Sequence, residues 1–132
     1  MARDTFANSL AELYNLLAAD ANGTPRTALS SVGVVAVYDH EPKPGDALRN
    51  CFVTVAPAGM TPEYWVIAQR VYSMWDVGAK DAQDVCLAAM VAVDNLMTDG
   101  FGPAQWDWQP FDNLGAFVAT NILMVPRSDL SA

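Results

Sequence analysis

Residues 81–99 read DAQDVCLAAMVAVDNLMTD, and the placement of this stretch decides the fold. Ala82, Val85, Cys86, Ala89, Val93, Leu96 and Met97 recur at helical spacing and make one apolar stripe. Asp81 is positioned to cap the first turn, Asp84 follows where the helix dipole favours an acid, and Gly100 is positioned to close the C-terminus. The opposite side is also poor in polar groups. Leu87, Ala88, Met90 and Val91 occupy its middle, with Asp84, Asp94, Asn95 and Thr98 nearer the ends. A helix apolar on two sides is expected to be covered twice. One cover is a sheet built from the flanking segments. The other is either the N-terminal helix or a second copy of the protein.

Immediately upstream, residues 63–75 (EYWVIAQRVYSMW) form the longest strand candidate. Trp65, Ile67, Gln69, Val71, Ser73 and Trp75 alternate with Tyr64, Val66, Ala68, Arg70, Tyr72 and Met74. Neither set is purely polar, the pattern of a central strand covered on both faces. Residues 31–38 (SVGVVAVY) and 51–56 (CFVTVA) are rich in β-branched residues and read as paired strands. Pro57, Gly59 and Pro62 punctuate the connection that follows. Downstream, residues 105–111 (QWDWQPF) and 116–125 (AFVATNILMV) form a hairpin about a turn at 112–115, and residues 126–132 are an exposed tail. At the other end, Phe6, Leu10, Leu13, Tyr14, Leu17 and Ala21 make the stripe of a second amphipathic helix over residues 4–22. Gly23 and Pro25 stop it, and residues 23–30 read as a linker.

The fold class expected is α/β in the α+β sense. It comprises a mainly antiparallel mixed sheet of about five strands packed against two helices, in the order α-β-β-β-α-β-β. A chain of 132 residues is expected to form one domain over residues 1–132. Hydrophobic residues make up 52%, which excludes disorder, and no apolar run reaches the ~18 residues of a membrane span. The first ten residues carry no apolar signal core, so synthesis in a cytoplasm is expected. Cys51 and Cys86 lie in a strand and in the apolar helix, the setting of buried, reduced thiols. A net charge of −8 with singly scattered Lys and Arg excludes gripping of a nucleic-acid backbone.

Chemistry-bearing motifs are sparse. His40, the only histidine, is flanked by Asp39 and Glu41, and no second His or nearby Cys completes a metal site. No nucleophile elbow, phosphate-cradling glycine loop or zinc-protease helix occurs, and no carboxylate pair is singled out for acid–base work. The expectation is therefore no enzyme, no catalytic residues, no cofactor and no metal. Two features suit assembly instead. The charged loop over residues 39–50, with Asp39, His40, Glu41, Lys43, Asp46 and Arg49, exceeds the usual hairpin length and is expected to project from the sheet as a docking element. Its replacement over 41–49 by a short Gly/Ser turn is expected to spare the fold. Trp106 and Trp108, with Phe111, either cover the core or stand at a subunit contact, where Trp is enriched.

The whole layout resembles that of phage tail terminator (tail completion) proteins, which close the tail tube of long-tailed bacteriophages and dock it to the head. The resemblance spans residues 4–126. It rests on the N-terminal amphipathic helix (Phe6 to Leu17), the strand ending in Tyr38 with its Pro42- and Pro44-containing loop, and the strand from Cys51 to Val55. A Pro/Gly-rich link into the aromatic strand Tyr64 to Tyr72, the Asp-led helix Asp81 to Met97, and the closing strand Phe117 to Val125 complete it. It implies a homo-oligomeric ring, typically a hexamer, with tail tube and head–tail connector proteins as partners. It also implies location in the virion tail, with DNA passing through unheld and no membrane contact. Another neck component and a small-ligand module with a tryptophan-lined pocket between sheet and helices are the competing readings.

Overall fold

A computed structural model describes residues 5–41, 50–74, 78–97, 106–111 and 115–127. Its elements, in order, are α1 (Phe6–Leu17), α2 (Thr27–Ser30), β1 (Val34–Tyr38), β2 (Cys51–Met60), β3 (Tyr64–Met74), α3 (Ala79–Leu96), β4 (Trp106–Phe111) and β5 (Ala116–Pro126). The strands form one mixed sheet in the order β1-β2-β3-β5-β4, the expected α+β class with the short α2 in addition.

Helix α3 begins two residues before Asp81. Gly78, at φ 99°, is the N-cap residue and its carbonyl accepts from the Ala82 N–H, so Asp81 stands in the first turn and does not cap. The apolar stripe holds: Ala82, Cys86, Ala89 and Val93 are fully buried. Closure by Gly100 lies outside the described residues. Helix α1 is capped by the Thr5 hydroxyl, which accepts from the Asn8 N–H at 3.0 Å. It stops at Leu17, short of the expected 22. Asp20 Oδ1 accepts from the N–H groups of Asn22 and Thr24, a side-chain-closed turn that competes with helix, and Ala18 bridges to Pro25 instead. Arg26 then caps the helix end, its guanidinium donating to the Asn15 carbonyl at 2.6 and 3.0 Å. The supposed linker therefore contributes structure, including α2 with a fully buried Leu29.

The pairing of β1 with β2 is parallel, whereas β2–β3, β3–β5 and β4–β5 are antiparallel. A parallel partner must start where β1 started, so the connection has to retrace the five-residue strand, roughly 16 Å. Parallel strands are joined by connections of about a dozen residues or more, where a hairpin needs only about two. The length of the 39–50 loop is therefore ordinary for this topology, which goes against the expectation that a short hairpin-type turn can replace residues 41–49. Strand β2 also runs through Pro57 and Gly59, read from sequence as a connection. Strand β1 pairs only as far as Thr54, so Pro57 lies beyond its reach and needs no N–H, and the register shift between Pro57 and Gly59 absorbs the irregularity.

The main core lies between the helices and one sheet face: Leu13, Leu17, Leu29, Cys86 and Val93 against Val53, Ile67, Val71, Ala119 and Leu123. Phe6 of α1 stacks on Trp65 at 5.7 Å. Two amides are buried on this face, Asn121 Nδ2 donating to Gln69 Oε1 at 3.1 Å and Gln69 Nε2 to Met97 Sδ at 3.2 Å, which ties β3 and β5 to the end of α3. A second cluster, Phe52, Tyr72 and Val118 with Ala36, Tyr38 and Met74, occupies the opposite face and includes no helix residue.

Candidate assembly surfaces

The helix-free face carries an organised polar cluster. Paired residues share a face, so Tyr72 lies beside Phe52 and Val118, and Arg70 beside Thr54 and Thr120. Phe52 stacks on Tyr72 at 4.8 Å and meets Tyr38 edge-on at 5.7 Å, an aromatic ladder across three strands. Glu41 folds over it. Its Oε1 accepts from Thr54 Oγ1 at 2.8 Å and Arg70 Nη1 at 2.9 Å, and its Oε2 accepts from the Tyr72 hydroxyl at 2.5 Å. Burial first, and then the hydrogen bond and charge of Glu41, push the Tyr72 hydroxyl well above the usual phenol range, with Arg70 opposing. The root of the 39–50 loop is thus clamped onto the sheet, where sequence reasoning expected it to project. Thr54, Arg70 and Tyr72 went unnoticed in the sequence. Their signal was an Arg and a Tyr on the same alternate set of a long strand, opposite a Thr.

Asp39 and His40 are exposed and paired with each other, Asp39 Oδ1 to His40 Nδ1 at 2.9 Å, with His40 beside the Tyr38 ring. Lys43, Asp46 and Arg49 lie outside the described residues. No cluster of three or more His, Cys, Asp or Glu side chains able to hold a metal occurs among the described residues.

Trp106 and Trp108 project from β4 to the helix side, opposite Asn121 and Ala119. Trp106 packs on the core and its Nε1 donates to Asp94 of α3 at 3.2 Å, while Trp108 stacks on Phe117 at 4.9 Å. Trp106 thus packs into the seam between β4, β5 and α3, while Trp108 lies along it with its ring partly exposed. Phe111 pairs with Ala116 at the end of the β4–β5 ladder. Cys86, beneath this seam, is buried, and burial pushes its thiol up to about 11 against opposing hydrogen bonds from Trp108 and Ala119. Cys51 is pushed up to about 12 by burial and by the neighbouring Cys86.

Large apolar side chains remain exposed at several points among the described residues. Leu87 and Val91 lie on the outer side of α3, Ile122 and Met124 on the helix-free face, Trp108 on β4, and Val35 and Met60 near opposite ends of β2. Among the described residues no element closes off the second apolar side of α3: α1 and α2 contact α3 but leave Leu87 and Val91 exposed. No described helix is long and apolar enough to cross a membrane.

No family model matches the chain, and no curated protein does. A solved chain from the virion of a native gene transfer agent particle has the same fold. It superposes with a TM-score of 0.53 over 89% of this chain and 92% of its own, at 18% sequence identity.

Proposed function

We propose that this chain is a structural virion subunit without catalytic activity, and specifically a tail terminator: a ring-forming protein that caps a phage tail tube and joins it to the head. The observation that carries the reading is the near-complete two-way overlap with a chain of a virion particle, together with a sequence layout that resembles that of tail terminators. Three features support it. Among the described residues helices cover one face of the sheet, the outer side of α3 and the helix-free face keep apolar side chains exposed, and a net charge of −8 suits a ring through which DNA passes unheld. Residues expected to contact the tail tube or connector lie around the Glu41-clamped loop root.

Light scattering or native mass measurement on the purified chain at micromolar concentration tests the self-association. The expected species is a discrete ring with a mass near six times the 14.2 kDa chain. A strictly monomeric protein argues for a binding module instead. Withholding the protein from particle assembly then tests its place: tails of uncontrolled length, unjoined to heads, are expected. Normal tails with a defect confined to the head would assign it to another neck component.

A further inference from the structure

The β2–β3 hairpin has different chemistry at its two ends. At the turn, Met60 is 62% exposed, more than any other large hydrophobic residue among those described. Arg127 is held beside it, with Nη1 donating to the Thr61 carbonyl and its N–H to the Glu63 carbonyl, each at 3.1 Å. At the far end, where Cys51 pairs with Ser73, a cleft of about 270 Å³ opens between β1, β2 and the start of α3. Its lining is apolar, from Gly33, Val35, Cys51 and Val85, with the exposed Asp81 alongside. Gly33 keeps it open: at φ +105° a side chain is strained, and an added Cβ would stand 3.3 Å from Val85 Cγ1.

Size and distance select the occupant. The cleft falls below the roughly 300–1,000 Å³ of small-molecule sites but accommodates one long, unbranched apolar side chain. Met60 lies a ten-residue strand away, roughly 30 Å, so it cannot reach the cleft of its own chain. Charge selects in the same direction. Two copies of a chain of net charge −8 repel at long range, and local opposite charges favour and orient a contact between them. Arg127 flanks the exposed methionine, and Asp81 flanks the cleft.

We propose that Met60 of one copy enters the Gly33–Val35–Val85 cleft of the next, with Arg127 facing Asp81 across the contact. This inference rests on the self-association proposed above and names its surfaces. Because knob and hole lie on different parts of one chain, the contact is heterologous, and repetition closes a ring when the rotation per step allows it.

The test is cross-linking and mass measurement on the full chain. In a Cys51→Ala background, which removes the native thiol lining the cleft, Val35→Cys combined with Met60→Cys should give a disulfide-linked ladder of oligomers under mild oxidation, absent from either single variant in that background, since Cys86 is buried. Met60→Asp, at an exposed position, should keep the native circular dichroism spectrum while weakening association at least tenfold. Arg127→Glu should weaken it less, with recovery when Asp81→Arg is added. Assemblies that form undiminished with Met60→Asp and yield no link between the two introduced thiols overturn this contact while leaving self-association intact. A wild-type chain monomeric at its highest soluble concentration overturns both.

Discussion

The two faces of the sheet are built from alternate residues of the same strands, yet they solve burial differently. On the helix side, Val53, Ile67, Val71, Ala119 and Leu123 are closed off by α1, α2 and α3, and the two buried amides, Gln69 and Asn121, bond each other. On the other side, burial ends part-way along. Phe52, Tyr72 and Val118 are buried beneath the Glu41 clamp, whereas Ile122 and Met124, further along β5, are 42% and 45% exposed. An apolar side chain left in water forgoes about 1.5–3 kcal/mol of burial. The helix-free face is thus apolar at both ends but covered, among the described residues, only at one.

The largest expected effect comes from inverting the helix face. Ala89→Asp would place an unpaired carboxylate at a fully buried position, costing several kcal/mol out of a typical 5–15 kcal/mol of stability. Circular dichroism should show an unfolded or insoluble protein, and a soluble folded variant would mean that α3 does not seal the core as described. Phe52→Ala, on the other face, should cost about 3–5 kcal/mol in a denaturant melt, because the ring is buried between Tyr38 and Tyr72. A loss below 1 kcal/mol would show that this cluster is not a second core.

Glu41→Ala leaves the buried Thr54 hydroxyl and the Tyr72 hydroxyl without their acceptor and should cost about 1–3 kcal/mol. The Arg70 contribution is smaller because that pair is partly solvated. Unchanged urea midpoints would mean that the clamp is dispensable. Alkaline titration separates the faces again. The thiols of Cys51 and Cys86 titrate near 9.0 when unfolded and are raised to about 12 and about 11 when folded, so the unfolded chain binds fewer protons above pH 9. The stability they contribute is complete below pH 9 and is lost as pH rises from there toward 11–12. Thermal melts at pH 8 and pH 10 should show a decline that Cys51→Ala with Cys86→Ala reduces, and an equal decline in that variant would place its origin elsewhere. The smallest effect is expected at the open end: Ile122→Lys should change stability by no more than about 0.5 kcal/mol. A cost of several kcal/mol would show that Ile122 is already buried by its own chain.

Periodicity carried the local reading because it is a property of neighbouring residues. The stripe of α3 was legible from Ala82, Cys86, Ala89 and Val93, that of α1 from Leu13 and Leu17, and the strands from their alternation, since a buried face forces apolar residues to recur at the element's own period. The settings of both cysteines were legible for the same reason. Element ends were less so: Asp20 closes a turn only because Thr24 returns to it, and Pro57 continues a strand only because β1 has already stopped. The parallel pairing of β1 with β2, the strand order β1-β2-β3-β5-β4 and the convergence of Glu41, Thr54, Arg70 and Tyr72 were decided by tertiary structure alone. Pairing direction depends on contacts between residues far apart in the chain, and an alternating strand presents the same pattern whichever way its neighbour runs.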